Sequence, residues 1–151
     1  MIDKPDVLYT AEATAVGGRE GHARTSDGRL DVALDVPLEI GGTGGPGTNP
    51  EQLFAAGWAA CFQSALSRFA AGRGLDVSES RVTARVGIGS LALGGFGLVA
   101  ALDLDAPRID REAAVDLMRR AHGACPYSRA TRGNIEVTLT VGGTAIERRA
   151  A

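Results

Sequence analysis

Two thiols, Cys61 and Cys125, hold most of the reactive chemistry available to this 151-residue chain. The thiolate is the nucleophile and metal ligand, and an ordinary thiol with a pKa near 8.5 is only about 3% ionised at pH 7. Cys61 sits in an apolar run, and burial there disfavours the ionised form further. A reactive Cys61 therefore needs a cation nearby. Two charged residues stand out for such a thiolate site: Arg19 in the sequence G-G-R-E-G, and Glu51 ten residues ahead of Cys61. Each also has an ordinary reading. An arginine in a hairpin turn is commonly solvated, and a glutamate in the first turn of a helix complements the dipole by about 0.3 to 1 kcal/mol. The two cysteines are 64 residues apart, which excludes a C-x-x-C motif and fits no zinc signature, so they pair only if the fold joins them. His122 stands three residues before Cys125, but His22 is the only other histidine and no metal-ligand set is complete.

The element that positions Cys61 is legible from Thr48 to Phe62, T-N-P-E-Q-L-F-A-A-G-W-A-A-C-F. Asn49 suits a helix N-cap, Pro50 the first helical position and Gln52 a capping box. No residue from Leu53 to Phe62 is charged, and Ala65, Leu66, Phe69 and Ala70 continue the apolar character around most of the circumference. The pattern predicts a central helix surrounded by protein, ending near Gly72 to Gly74. Small residues at 55, 56, 57, 59 and 60 allow another backbone to approach closely.

Around that helix the pattern predicts an α+β fold. A strand from Val7 to Val16 turns through Gly17-Gly18 and Arg19 into Gly21 to Ser26, and Asp27-Gly28 leads to a third antiparallel strand through Leu30, Val32, Leu34 and Val36. The glycine-rich run from Pro37 to Pro50 reads as a flexible connection, since it lacks the parts of a Walker loop or a dinucleotide fingerprint. A hairpin pairs Val82 to Ile88 with Phe96 to Leu104, and Asp110 caps an amphipathic helix through Ala114, Leu117, Met118 and Ala121. Cys125 then falls at a junction where Pro126 restarts a turn or short helix. A closing hairpin pairs Asn134 to Val141 with Thr144 to Arg149.

Length and composition predict one domain over residues 1–151. A net charge of −2 and the lack of a basic, aromatic-interleaved face exclude a nucleic-acid footprint. The start M-I-D-K-P-D-V lacks the marks of a signal peptide, and no apolar run is long enough for a bilayer, so a soluble, cytoplasmic protein with no membrane partner is expected. In that compartment thiols stay free unless they belong to a redox cycle.

Three stretches carry a family resemblance: G-R-E-G at Gly18 to Gly21, N-P-E-Q-L-F-A-A-G-W-A-A-C-F at Asn49 to Phe62, and C-P-Y-S-R-A-T-R-G-N at Cys125 to Asn134. They resemble, in order, the organic hydroperoxide resistance proteins of the OsmC-like superfamily of thiol peroxidases. The resemblance implies an OsmC-like fold of antiparallel sheets around a central buried helix with a second amphipathic helix. It makes Cys61 the peroxidatic thiol, Cys125 the resolving thiol, Arg19 the residue that holds the thiolate and Glu51 the carboxylate that orients Arg19. The substrate implied is an alkyl or fatty-acid hydroperoxide, with Leu53, Phe54, Trp58 and Phe62 as its apolar contacts. No bound cofactor is implied; the reductant is an external dithiol of lipoyl type, such as a lipoylated protein. Trp58 is larger than the ring expected at that position of the family.

Two other readings belong to the same residues: a small hydrophobic-ligand binding module with inert thiols, and a thiol redox sensor, although no output element such as a DNA-binding segment is present. Helix geometry adds one expectation. On one straight helix Glu51 and Cys61 lie about 15 Å apart, too far for one guanidinium to serve both comfortably. An intertwined homodimer, with Arg19 and Glu51 of one subunit facing Cys61 of the other, removes the difficulty.

Overall fold

The computed structural model describes residues 4–146. The chain runs β1 (Ala13–Val16), β2 (His22–Thr25), β3 (Asp31–Ala33), α1 (Pro50–Ala71), β4 (Arg81–Ser90), β5 (Phe96–Asp105), α2 (Arg111–Ala124), α3 (Pro126–Thr131), β6 (Glu136–Val141) and β7 (Thr144–Ala145). Short 3-10 turns occupy Gly18–Glu20 and Leu38–Ile40. The chain forms two compact units, one ending at Pro50 and the other beginning at Glu51.

In the first unit β1, β2 and β3 make the expected antiparallel sheet, with Ala13 opposite Thr25 and Val16 opposite His22. The first strand is shorter than its alternation predicts. Glu12 accepts from Ser26 N–H, after which the chain reverses at Asp27-Gly28. No part of β2 remains to oppose residues 7–11, and Val7, Leu8 and Tyr9 stand 69%, 95% and 80% exposed. The glycine-rich run is also not a slack connection. Asp35 accepts from the Gly47 N–H at 2.5 Å, and a Cβ on Gly45 or Gly47 would stand 2.6 Å from the same carboxylate oxygen. The loop therefore wraps around one carboxylate, and Leu34 bridges Thr48 beyond it.

In the second unit α1 is continuous over 22 residues, alanine-rich and free of β-branched side chains, which suits a long helix. Within this chain it is buried on one face only. Trp58, Phe62, Leu66 and Ala70 recur every fourth residue in the core, while Gln52, Ala56, Ala60, Ser64 and Arg68 form an exposed stripe. The helix expected to be surrounded by protein is thus covered on one side within this chain. Across the core α1 meets Ala100, Leu102 and Leu104 of β5, and Ala114, Leu117, Met118 and Ala121 of α2. Full burial of each large side chain is worth roughly 1.5 to 3 kcal/mol. Asp110 caps α2 as expected, its Oδ1 accepting from Ala113 N–H at 2.8 Å.

The second sheet has the order β4-β5-β6-β7. Strands β4 and β5 form the expected long hairpin, from Arg81 opposite Asp105 to Ser90 opposite Phe96. The expected antiparallel pairing holds for every pair of the two sheets but the next one, where β6 runs parallel to β5, with Val99 opposite Glu136. The physical reason is the connection: α2 and α3 carry the chain back along the sheet, so it re-enters in the same direction, as helical crossovers do. Strand β7 closes against Thr140 and Val141. Residues 147–149 of the expected closing strand lie outside the described residues, as do the outermost positions of the expected 1–151 domain. Among the described residues no helix is long and apolar enough to cross a membrane.

Candidate active site

Cys61 lies midway along α1, next to the core residue Phe62. Cys125 ends α2 and begins α3. Its N–H donates to the Ala121 carbonyl at 2.8 Å, its own carbonyl accepts from Arg129 N–H at 2.9 Å, and Pro126 takes the first position of α3, where a missing N–H costs nothing. An extended backbone at Cys125, φ −58° and ψ 125°, separates the two helices and sends the chain back toward α1. The result is a direct contact: Cys125 Sγ lies 3.4 Å from Cys61 Sγ, within hydrogen-bond reach for sulfur. Both thiols are free; Cys125 is buried and Cys61 keeps some exposed surface.

The surroundings of Cys61 act on its ionisation in opposing directions. Burial pushes the thiol above its usual range, and the hydrogen-bonded Cys125 thiol pushes the same way. The backbone N–H of Tyr127, in the first turn of α3, bonds to the Cys61 sulfur and pulls it back down. Desolvation is the larger effect.

Three contacts seat α3 on α1 around the thiols. The Tyr127 ring crosses α1 at Gly57, where a Cβ would stand 2.9 Å from the phenolic oxygen, so the ring makes its closest approach where the helix has no side chain. The Phe54 ring lies 5.8 Å from the Tyr127 ring and meets the Trp58 ring edge-on at 5.4 Å. The Trp58 indole N–H donates to Ser128 Oγ at 3.1 Å, with both side chains fully buried. The sequence marks Gly57 among the small residues that allow close approach, whereas it gives Tyr127 and Ser128 no such mark. The available signal was the matched spacing: Trp58 precedes Cys61 by three residues, and Ser128 follows Cys125 by three.

Of the apolar residues expected to contact substrate, Leu53 and Phe54 are half-buried on α1, whereas Trp58 and Phe62 have no exposed surface and belong to the core. Their side chains point into the protein because the i, i+4 face of α1 that holds them packs on the sheet and α2. Glu51 is half-buried in the first turn of α1, and the helix between it and Cys61 is unbroken. Arg19 belongs to the first unit, half-buried in the 3-10 turn Gly18–Glu20. Gly17 and Gly18 there adopt φ +76° and +59°, and a Cβ on Gly21 would strike the Val16 carbonyl oxygen at 1.8 Å, so the glycines of G-G-R-E-G shape the turn that presents Arg19. A hollow of about 980 Å³ runs beside β6, lined by Arg119, His122, Ser128, Arg132 and Asn134 among others; neither cysteine lines it.

An α+β chain that brings two sequence-distant thiols into contact at a helix junction defines a class narrower than its elements alone would. The family model described as OsmC-like protein matches residues 42–140. An organic hydroperoxide resistance protein of Xanthomonas axonopodis pv. citri is 53% identical over 142 residues, covering 93% of this chain and 99% of its own. The protein OhrB of Bacillus subtilis, also named for organic hydroperoxide resistance, is 44% identical over 87% of this chain and 96% of its own. Among solved structures, a putative organic hydroperoxide resistance protein of Vibrio cholerae, with captopril bound in one of its active sites, superposes with a TM-score of 0.88 at 44% identity, over 95% of this chain and 99% of that one. The chain belongs to the OsmC-like family and, within it, to the organic hydroperoxide resistance proteins.

Proposed function

We propose that this chain is a cysteine-based peroxidase that reduces organic hydroperoxides to alcohols. The observation that carries the reading is the 3.4 Å approach of Cys125 Sγ to Cys61 Sγ. The Cys61 thiolate attacks the terminal oxygen of the hydroperoxide. The O–O bond breaks, the hydroxyl oxygen passes to the Cys61 sulfur as a sulfenic acid, and the alkoxide leaves as alcohol with the proton that Cys61 gave up on ionising. The Cys125 sulfur then attacks the Cys61 sulfur, water leaves, and a disulfide forms. An external dithiol, of lipoyl type by family resemblance, takes the disulfide back to two thiols. The assignment of Cys125 as resolving thiol accords with its burial: peroxide meets the partly exposed Cys61 first.

Desolvation raises the Cys61 thiol, so the reading requires a permanent charge to offset it. Arg19 fills that role, with Glu51 holding its planar guanidinium. Because Glu51 and Cys61 are ten residues apart on one unbroken helix, the two charges serve Cys61 from a second copy of the chain. The exposed, adjacent Val7, Leu8 and Tyr9 support such a dimer, since a monomer rarely leaves a contiguous apolar segment of this kind uncovered. Free thiols in a redox cycle suit the cytoplasm.

The preference for organic hydroperoxides rests on the half-buried apolar side chains Leu53 and Phe54, about two turns before Cys61 on α1, which offer roughly 25 cal/mol per Å² covered by an alkyl group. Stopped-flow mixing of reduced protein with an alkyl hydroperoxide and with hydrogen peroxide, counting thiols lost, tests the reading. Two thiols lost per peroxide, faster with the alkyl compound, is the expected result; no loss of thiols would return the chain to the ligand-binding reading.

A further inference from the structure

Each cysteine has a neighbour three residues along its helix, and those two neighbours are bonded to each other. Trp58 precedes Cys61 on α1 and Ser128 follows Cys125 on α3; the indole Nε1–H donates to Ser128 Oγ at 3.1 Å with neither side chain exposed. A buried indole N–H needs an acceptor, and this one finds it across two helices. The Phe54 ring meets the indole edge-on at 74°, which restrains its rotation. Helix α3 is only six residues long and begins at Pro126, directly after Cys125, so few contacts determine how it sits on α1. The bond lies within one helical turn of both sulfurs.

Resting on the assignment of Cys61 and Cys125 as peroxidatic and resolving thiols, we infer that the Trp58–Ser128 hydrogen bond is a positioning brace. It holds Cys125 against Cys61 and so determines how the Cys61 sulfenic acid divides between disulfide closure and over-oxidation. In closure the Cys125 sulfur attacks the Cys61 sulfur, the S–O bond breaks, and the hydroxyl leaves as water with the Cys125 proton. In over-oxidation the Cys61 sulfenate attacks a second hydroperoxide, the O–O bond breaks, alcohol leaves, and the sulfur becomes a sulfinic acid. Closure is independent of hydroperoxide concentration, whereas over-oxidation is proportional to it. A brace that keeps the sulfurs in register therefore sets the hydroperoxide concentration at which the two routes are equal. Misplacing reacting atoms by about 1 Å costs as much as 100-fold in rate. Removing one of several contacts is expected to cost about tenfold.

The test is Ser128→Ala, which removes the acceptor and little volume, compared with the unaltered protein by intact-mass analysis after one turnover at increasing alkyl hydroperoxide. The expected result is a sulfinic-acid midpoint about tenfold lower, with the rate of sulfenic acid formation retained. Trp58→Phe removes the donor and should lower the midpoint similarly, and the double variant should be no worse than the more affected single. An unchanged midpoint in Ser128→Ala overturns the brace. Equal losses in sulfenic acid formation and closure overturn it too, because they mark a general structural role. If Ser128→Ala fails to fold, Trp58→Phe is judged by its midpoint alone, and failure of both to fold also overturns the inference. If the unaltered protein forms no disulfide at all, the peroxidase reading itself has failed, which is a separate outcome.

Discussion

Cys125 Sγ stands 3.4 Å from Cys61 Sγ although 64 residues separate them, and the extended backbone between α2 and α3 is what turns Cys125 toward α1. Disulfide formation needs only a contraction of the sulfur pair to about 2.05 Å. Cys125→Ser should therefore keep one turnover and then accumulate sulfenic and sulfinic acid at Cys61, while Cys61→Ser should abolish the first event. Mass analysis after a single addition of hydroperoxide distinguishes the two variants, and identical behaviour would contradict their separate roles.

The pH dependence follows from the opposing effects on Cys61. Because burial and the Cys125 thiol raise its pKa, the protonated form gains at neutral pH, and the rate should climb as pH rises through that pKa. A cation at the site moves the midpoint of this climb downward. Arg19→Ala should thus shift the pH–rate midpoint upward and slow the reaction at pH 7. A midpoint that does not move would remove Arg19 from the thiolate site.

If the charges come from a second copy, an inactive variant and a slowed one should restore each other at pH 7. Mixed dimers formed by refolding Cys61→Ser with Arg19→Ala contain one site with both defects and one sound site, its Cys61 from the Arg19→Ala subunit and its Arg19 from the Cys61→Ser subunit, so random exchange, which makes half the molecules mixed, should restore about a quarter of the normal activity. Absence of any recovery, with mixed dimers verified by mass, would place Arg19 and Cys61 of each site in the same chain.

Gly57 leaves room for the Tyr127 ring, and a Cβ there would sit 2.9 Å from the hydroxyl and 3.2 Å from Cε2. Gly57→Val should destabilise the fold by about 1 to 3 kcal/mol, as overpacking does. Adding Tyr127→Ala should recover part of that loss. Denaturant unfolding of the two variants measures it; a double variant less stable than both singles would locate the strain elsewhere.

Replacement of Asp110 by alanine removes the side-chain acceptor for Ala113 N–H at the start of α2. The expected loss is about 1 kcal/mol, a fall in Tm of about 2 to 4 °C for a chain of this size. Thermal unfolding followed by circular dichroism gives the comparison.

Local order was legible wherever a signal lies within a few residues. The start of α1 at Pro50, the Asp110 cap, the Phe96 to Leu104 strand and the break at Cys125-Pro126 all follow from side-chain period, capping chemistry and proline's missing donor. The two cysteines, with Arg19 and Glu51, could be singled out because few residue types supply a nucleophile or a permanent charge. Tertiary structure decided the rest. Whether residues 7–11 pair depends on where β2 stops, and the parallel entry of β6 depends on the crossover through α2 and α3, neither of which alternation along one strand encodes. No residue of α1 from Leu53 to Phe62 is charged, so the sequence there does not mark one face, and the packing of β5 and α2 against Trp58, Phe62, Leu66 and Ala70 selects which face is buried. The contact between Cys61 and Cys125 is of the same kind: the residue types are written in the sequence, but the 3.4 Å between them belongs to the packing of α3 on α1, where Tyr127 crosses Gly57 and Trp58 bonds Ser128.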